Sequence, residues 1–153
     1  MNTLEVLYAA KARLEGDAEF VFVDWTSCTC GHIYAAAMGK EADRPIQVQG
    51  WERSVDEKYA QVLITVAEAL GFQYDPDIRV MTHASQAACH ISDFTIQCKP
   101  ADADRGTGRE DAIKVIAHAI AAIEAQHEQD RLDVLAQAQQ IVDNADVATE
   151  VTA

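Results

Sequence analysis

Positive charge is what this sequence has least of: 12 lysines and arginines stand against 25 acidic side chains, a net charge of −13. A chain so charged repels phosphate backbones and anionic bilayers, so direct nucleic-acid binding is not expected. Long apolar runs are missing too. No segment approaches the roughly 20 apolar residues that span a bilayer, and Met1 to Tyr8 has no basic stretch leading into an apolar one. The expectation is a cytoplasmic protein with no membrane partner. Its four cysteines should then remain thiols or bind metal rather than build a disulfide framework. Signature motifs are also absent: there is no Gly-x-Gly-x-x-Gly, no Walker pattern, no Gly-x-Ser-x-Gly and no His-Glu-x-x-His. Gly106-Thr107-Gly108 lacks the lysine and the preceding buried strand of a phosphate loop.

What is present fits one domain. A chain of 153 residues with 49% apolar residues can bury a sizeable core without staples. Asn2 or Thr3 can cap a first helix with Leu4, Leu7, Tyr8 and Leu14 on one stripe, and Gly16 offers a left-handed stop. Phe20-Val21-Phe22-Val23 is apolar on both alternating faces and reads as a strand covered above and below. The densest chemistry follows in Asp24 to Lys40, where a helix begins near Ser27 to Cys30, continues through Ala35-Ala36-Ala37 and stops at Gly39. Gly31 and the alanines let another backbone approach closely.

Ile46 to Val48 is a possible short strand bounded by Pro45 and Gly50. Ser54-Val55-Asp56-Glu57 is a capping-box pattern opening a helix with Tyr59, Val62, Leu63, Val66 and Leu70 in register, ended by Gly71. Ile78 to Met81 and Phe94 to Cys98 read as strands, with His83 to His90 a short helix or a loop. Thr107-Gly108-Arg109-Glu110 is a second capping-box pattern, opening the longest helical signal. Ile113, Ile116, Ile120 and Ile123 form its core stripe; Gln126 to Arg131 interrupts it, and Leu132, Leu135, Ala138 and Val142 resume it.

Leu4-Glu5-Val6-Leu7-Tyr8-Ala9-Ala10, Cys28 to Ala37, Ala67-Glu68-Ala69-Leu70-Gly71, Ser92-Asp93 and Thr107 to Asp111, taken in this order, resemble an uncharacterised family of small actinobacterial and actinophage proteins, a domain of unknown function. The resemblance covers about residues 3 to 125. Cys28 and Gly31 fall on the family's Cys and Gly, whereas Cys30 and His32 sit where apolar or small residues are usual. It implies a phage or actinobacterial cytoplasmic origin, in the host cytoplasm if phage-encoded. It carries no activity, catalytic residue or cofactor.

Cys28-Thr29-Cys30-Gly31-His32 brings two thiols and an imidazole within five residues, and Cys89 can complete a tetrahedral zinc set with them, helped by His83, His90 or Cys98. Against this, Cys-x-Cys is not the usual zinc knuckle spacing, and buried free thiols on an Ala-rich helix need no metal. A nucleophilic Cys28 or Cys30 at a helix N-terminus, with a histidine as base and Asp93 to orient it, is a further alternative. Without Cys-x-x-Cys and a thioredoxin-like strand order, a redox couple ranks lower still. His118 and His127 read as structural, and Trp25, Trp51, Tyr34, Tyr59 and Tyr74 as core aromatics.

The resulting expectation is an α+β fold, helix-dominated, with a small β-sheet and a long C-terminal helix. Residues 1–125 form the compact domain, 126–143 a C-terminal helix extension and 144–153 a fraying tail. The expected role is non-enzymatic and without a cofactor: an accessory protein, acting on a host protein if phage-encoded, that binds a protein partner or itself through Leu132, Leu135, Ala138 and Val142. The alternatives are a zinc-stabilised or cysteine-dependent enzyme at Cys28, Cys30, His32 and Cys89, and an acidic DNA-mimicking inhibitor.

Overall fold

The computed structural model describes residues 1–21, 27–41, 57–79, 81–97 and 108–152. Five helices run through them: α1 (Thr3–Glu15), α2 (Thr29–Met38), α3 (Glu57–Ala69), α4 (His83–Gln97) and α5 (Arg109–Thr152). Among the described residues there is no strand, so the α+β expectation with its small sheet is corrected to an all-helical fold. Phe20 and Val21 have irregular backbone. The Phe20 ring stacks on His32 with centroids 6.2 Å apart, and the Val21 N–H donates to the Ser27 carbonyl at 3.4 Å. Phe20 is thus half-buried against α2, while Val21 is exposed.

Ile78, Arg79 and Met81 are likewise in no strand: Ile78 N–H bonds the Asp75 carbonyl and Met81 N–H the Ile78 carbonyl, while Val80 lies outside the described residues. Phe94 to Gln97 is the end of α4, whose core positions Ala84, Ala87, Ala88 and Ile91 recur at three and four residues. That helical period outweighs the strand preference of Phe94-Thr95-Ile96. Phe22, Val23, Ile46 to Val48, Ser54 to Asp56, Cys98 and Thr107 lie outside the described residues.

Two compact units divide the chain, residues 1–121 and residues 122–153. Within the first, α2 is the centre, with α1, α3 and α4 all packed on it and α3 packed on α4. Thr29 to Ile33 and Ala35 to Ala37 are all buried, the mark of a helix enclosed rather than laid on a surface. Small side chains make that possible. Around it Val6, Leu7, Leu14, Leu63, Val66, Ile91, Val115 and Ile116 have no exposed surface.

The helix ends follow local chemistry. Asn2 caps α1 in a full capping box: its Oδ1 accepts from Glu5 N–H at 2.9 Å while the Glu5 carboxylate accepts from Asn2 N–H at 2.7 Å. The buried stripe of α1 is Val6, Leu7, Ala10 and Leu14, rotated from the expected one so that Tyr8 is half exposed. Gly39 and Gly71 take left-handed φ of 69° and 86°, ending α2 and α3, whereas Gly16 ends α1 with φ −90° and no left-handed turn. Thr82 caps α4 through its hydroxyl, which accepts from Ser85 N–H at 3.1 Å. At α5 the returning carboxylate is Asp111, accepting from Gly108 N–H at 3.0 Å, one residue later than the sequence pattern placed it.

The second unit is the remainder of α5, helical through Thr152 and so across 144–152, where the sequence suggests a fraying tail. Three Gln-to-Asp side-chain bonds at i, i+4 run along it, Gln126–Asp130, Gln129–Asp133 and Gln139–Asp143, together with the Arg131–Glu128 ion pair. No helix among the described residues is long and apolar enough to cross a membrane.

Candidate functional site

Three of the four residues singled out as metal ligands come together around α2, and the fourth does not. Cys28 is the N-cap of α2, extended at φ −77° and ψ −177°, and Cys30 is the second helical residue. Both are buried, at 4% and 1% exposure. The Cys30 S–H stabilises a Cys28 thiolate and, with the amides of Gly31, Cys30 and Cys28, holds the Cys28 thiol below its usual range against the opposing effect of burial. The Cys28 sulfur closes no cap hydrogen bond of ordinary geometry, so the amides act on it as a local field at the helix N-terminus.

Cys30 is shifted the opposite way, well above the usual thiol range, by its bond to Cys28 and by burial. Cys89 of α4 is close enough to add to that rise, and the Cys30 sulfur lies 3.8 Å from the neighbouring Ala88 carbonyl oxygen. The Cys89 thiol is itself raised, by burial and then by the Asp93 carboxylate.

His32 faces a different neighbour. Its Nε2 donates to the Glu19 carbonyl oxygen at 2.8 Å, and its Nδ1 is buried with no partner among the described residues. Burial lowers its basicity, and the Arg13 and Arg109 cations lower it further, against the Glu19 bond. Among the described residues no three His, Cys, Asp or Glu groups are placed to hold a metal ion.

The structure adds contacts that the sequence pattern does not reveal. Tyr59 of α3, 1% exposed, donates its hydroxyl proton to the Cys30 carbonyl at 3.0 Å and meets the Tyr34 ring edge-on at 5.1 Å. Arg109 at the head of α5 donates to the Gly16 and Ala18 carbonyls at 2.7 and 2.6 Å, fastening the chain after α1. Phe72 lies between His83 and His90, at 5.8 and 5.5 Å, while Tyr74 stacks on His83 and Phe94 reaches His118. An open cleft of about 410 Å³ lies beside this belt, lined by Phe72, Asp75, Met81, Gln86, Cys89, His90 and Asp93 among others. Only spacing in the folded chain brings these together; no local motif encodes them. Trp25 and Trp51 lie outside the described residues.

On the distal part of α5, Leu132, Leu135, Ala138 and Val142 are all exposed, as are Val134, Ile141, Val147 and Val151. At 100° per residue, Val134, Leu135, Ala138, Ile141, Val142 and Ala145 share one face, which Leu132 adjoins at i, i+3 to Leu135. The face continues in Ala148, Thr149 and Thr152, and Asp133, Asp143, Asp146 and Glu150 all fall outside it. Compared with known proteins, the chain matches no family model, no curated protein and no solved structure.

Proposed function

We propose that this is a non-enzymatic interaction protein whose distal α5 docks into an apolar groove, or along an apolar helix, of a basic protein partner. One observation carries the reading: on residues 134–152 an uncharged, largely apolar face is exposed, with Val134, Leu135, Ile141 and Val142 each more than half open to solvent. Helix-in-groove recognition uses this i, i+3, i+4, i+7 pattern. Charge selects the partner. Residues 122–153 carry Glu124, Glu128, Asp130, Asp133, Asp143, Asp146 and Glu150 against Arg131 alone, with no lysine or arginine after it.

A second copy would therefore bring seven more carboxylates against one arginine, whereas a basic rim is attracted and steered. The same pattern argues against a DNA mimic. Between Asp133 and Asp143 lie nine uncharged residues, about 15 Å of helix, whereas duplex DNA carries a charge about every 1.7 Å of axis. Buried free thiols at Cys28 and Cys30 fit a reducing compartment, and on that ground we place the protein in the cytoplasm.

The test is titration of the full chain with two designed amphipathic helical peptides sharing a leucine seam, one flanked by lysines and one by glutamates. The lysine-flanked peptide should bind, more weakly as salt rises, and binding should disappear in Ile141→Asp/Val142→Asp. Equal binding of both peptides, or binding untouched by the double substitution, would overturn the reading. A concentration-dependent dimer in sedimentation, lost in the same variant, would assign the face to a second copy instead.

A further inference from the structure

The exposed face of residues 134–152 repeats every seven residues and is built of three rows. Ala138, Ala145 and Thr152 run down its middle; Val134, Ile141 and Ala148 line one side, and Leu135, Val142 and Thr149 the other. All nine are exposed and uncharged. The middle row combines with either flank at alternating spacings of three and four: 134, 138, 141, 145, 148 and 152 on one side, 135, 138, 142, 145, 149 and 152 on the other. Each series averages about 3.5 residues, the period that keeps a partner helix in contact along a left-handed crossing. A covering strand would repeat at two residues instead.

Width then sets how many helices are needed. The outer rows lie about 100° apart around the helix, whereas the seam between two paired helices is narrower. One helix laid along Val134, Ala138 and Ile141 would leave Leu135 and Val142 in water, and one laid along Leu135, Ala138 and Val142 would leave Val134 and Ile141. All four are more than half exposed, so each flank has aliphatic surface to bury. Two covering helices would converge on the middle row, where the side chains are small enough for both to approach closely.

We propose that distal α5 docks between two helices of its partner and completes a three-helix arrangement with them. This rests on the docking reading above and specifies the partner's surface: a groove between two helices, each at least about 18 residues long to match the roughly 27 Å of residues 134–152. Large aliphatic side chains of the groove lie over Ala138 and Ala145, and lysines or arginines on its rim meet Asp133, Asp143, Asp146 and Glu150.

The test titrates the full chain calorimetrically with two designed helical hairpins of identical charge. In one, leucines from both helices line a lysine-rimmed groove; in the other, the groove-facing leucines of one helix are serines. The first should bind at least about tenfold more tightly, because its second wall buries another pair of aliphatic side chains. Ile141→Gln and Val142→Gln change one residue in each outer row and replace a β-branched side chain with a better helix former, so each should weaken the two-walled hairpin by about tenfold at unchanged helicity. Should either lose helicity in circular dichroism, Ile141→Ala and Val142→Ala give the same comparison. Equal affinity for the two hairpins, or an outer row whose substitution has no effect, would overturn the two-helix groove and leave docking on a single basic helix standing. Binding of neither hairpin would overturn the docking reading and this proposal together.

Discussion

Replacing Tyr59 tests the centre of the bundle directly. Its ring is buried where α3 meets α2, its hydroxyl donates to the Cys30 carbonyl at 3.0 Å, and it packs nearly perpendicular to the Tyr34 ring. Tyr59→Phe keeps the ring and removes one buried hydrogen bond, which costs about 1 kcal/mol. Tyr59→Ala removes the ring as well, about 3–5 kcal/mol for an aromatic cut from a core. In a chain of this length 1 kcal/mol moves the melting temperature by about 2–4 °C, so the phenylalanine variant should melt a few degrees lower and the alanine variant more than 6 °C lower. Urea denaturation and thermal melting, both followed by circular dichroism, give the free-energy costs and the melting temperatures. An independent readout comes from alkaline titration. Burial pushes the Tyr59 phenol well above its ordinary range, so one tyrosine should ionise only as the protein unfolds, and Tyr59→Phe should abolish that late step. A tyrosine spectrum that titrates completely in the folded protein, or a Tyr59→Ala cost below 1 kcal/mol, would refute the placement of α2 against α3.

Three other perturbations have definite signs. Arg109→Ala loses both bonds to the chain after α1 and should cost about 1–2 kcal/mol in urea denaturation; Arg109→Lys should recover little, because an ammonium cannot reproduce the fork. Gly39→Ala and Gly71→Ala place a side chain at left-handed φ in open space and should each cost about 1 kcal/mol, whereas Gly16→Ala, at φ −90°, should be near neutral by the same melting assay. Burial, together with the Arg13 and Arg109 cations, lowers the pKa of His32 in the folded protein. Its contribution to stability is therefore complete above the unfolded value of about 6.5 and is lost as pH falls through that value toward the folded one. The urea midpoint should fall more between pH 7.5 and pH 5.5, about one unit either side of that value, in the unchanged protein than in His32→Gln, whose amide can still donate to Glu19 but does not titrate.

Helix existence was readable wherever a 3.6-residue period met a stop signal. Gly39 and Gly71 are where the chain turns left-handed, and Tyr59, Val62, Leu63 and Val66 are buried at the expected spacing. Strands were misread where four or five apolar residues had no period to separate the two readings. At Phe94 the deciding information was Ala84, Ala87, Ala88 and Ile91 upstream, small residues whose regularity is less conspicuous than a run of Phe and Ile. The candidate site divided in the same way. Cys28 and Cys30 are neighbours in sequence and remain so in space, and Cys89 joins them, but His32 points to Glu19 because successive helical positions face different sides. The partners Tyr59, Arg109 and Phe72 depend on packing between elements distant in sequence, for which no spacing rule exists.

The choice of residues on distal α5 supports docking more strongly than exposure alone. A helix required only to remain helical in water is best served by Ala, Leu, Glu, Lys and Gln, and this segment uses several of them at its outward positions. Yet its shared face carries Val134, Ile141, Val142, Thr149 and Thr152, β-branched residues that lose side-chain freedom in a helix and lower its intrinsic stability. The Gln-to-Asp bonds and the Arg131–Glu128 pair contribute about 0.2–0.5 kcal/mol each, comparable to the propensity given up at those positions. Stiff apolar side chains on one uncharged face weaken a lone helix and favour a covered one, since each has little rotamer freedom left to lose when a partner packs on it. The β-branched residues that lower the intrinsic helix stability of 134–152 are those a basic apolar groove would cover.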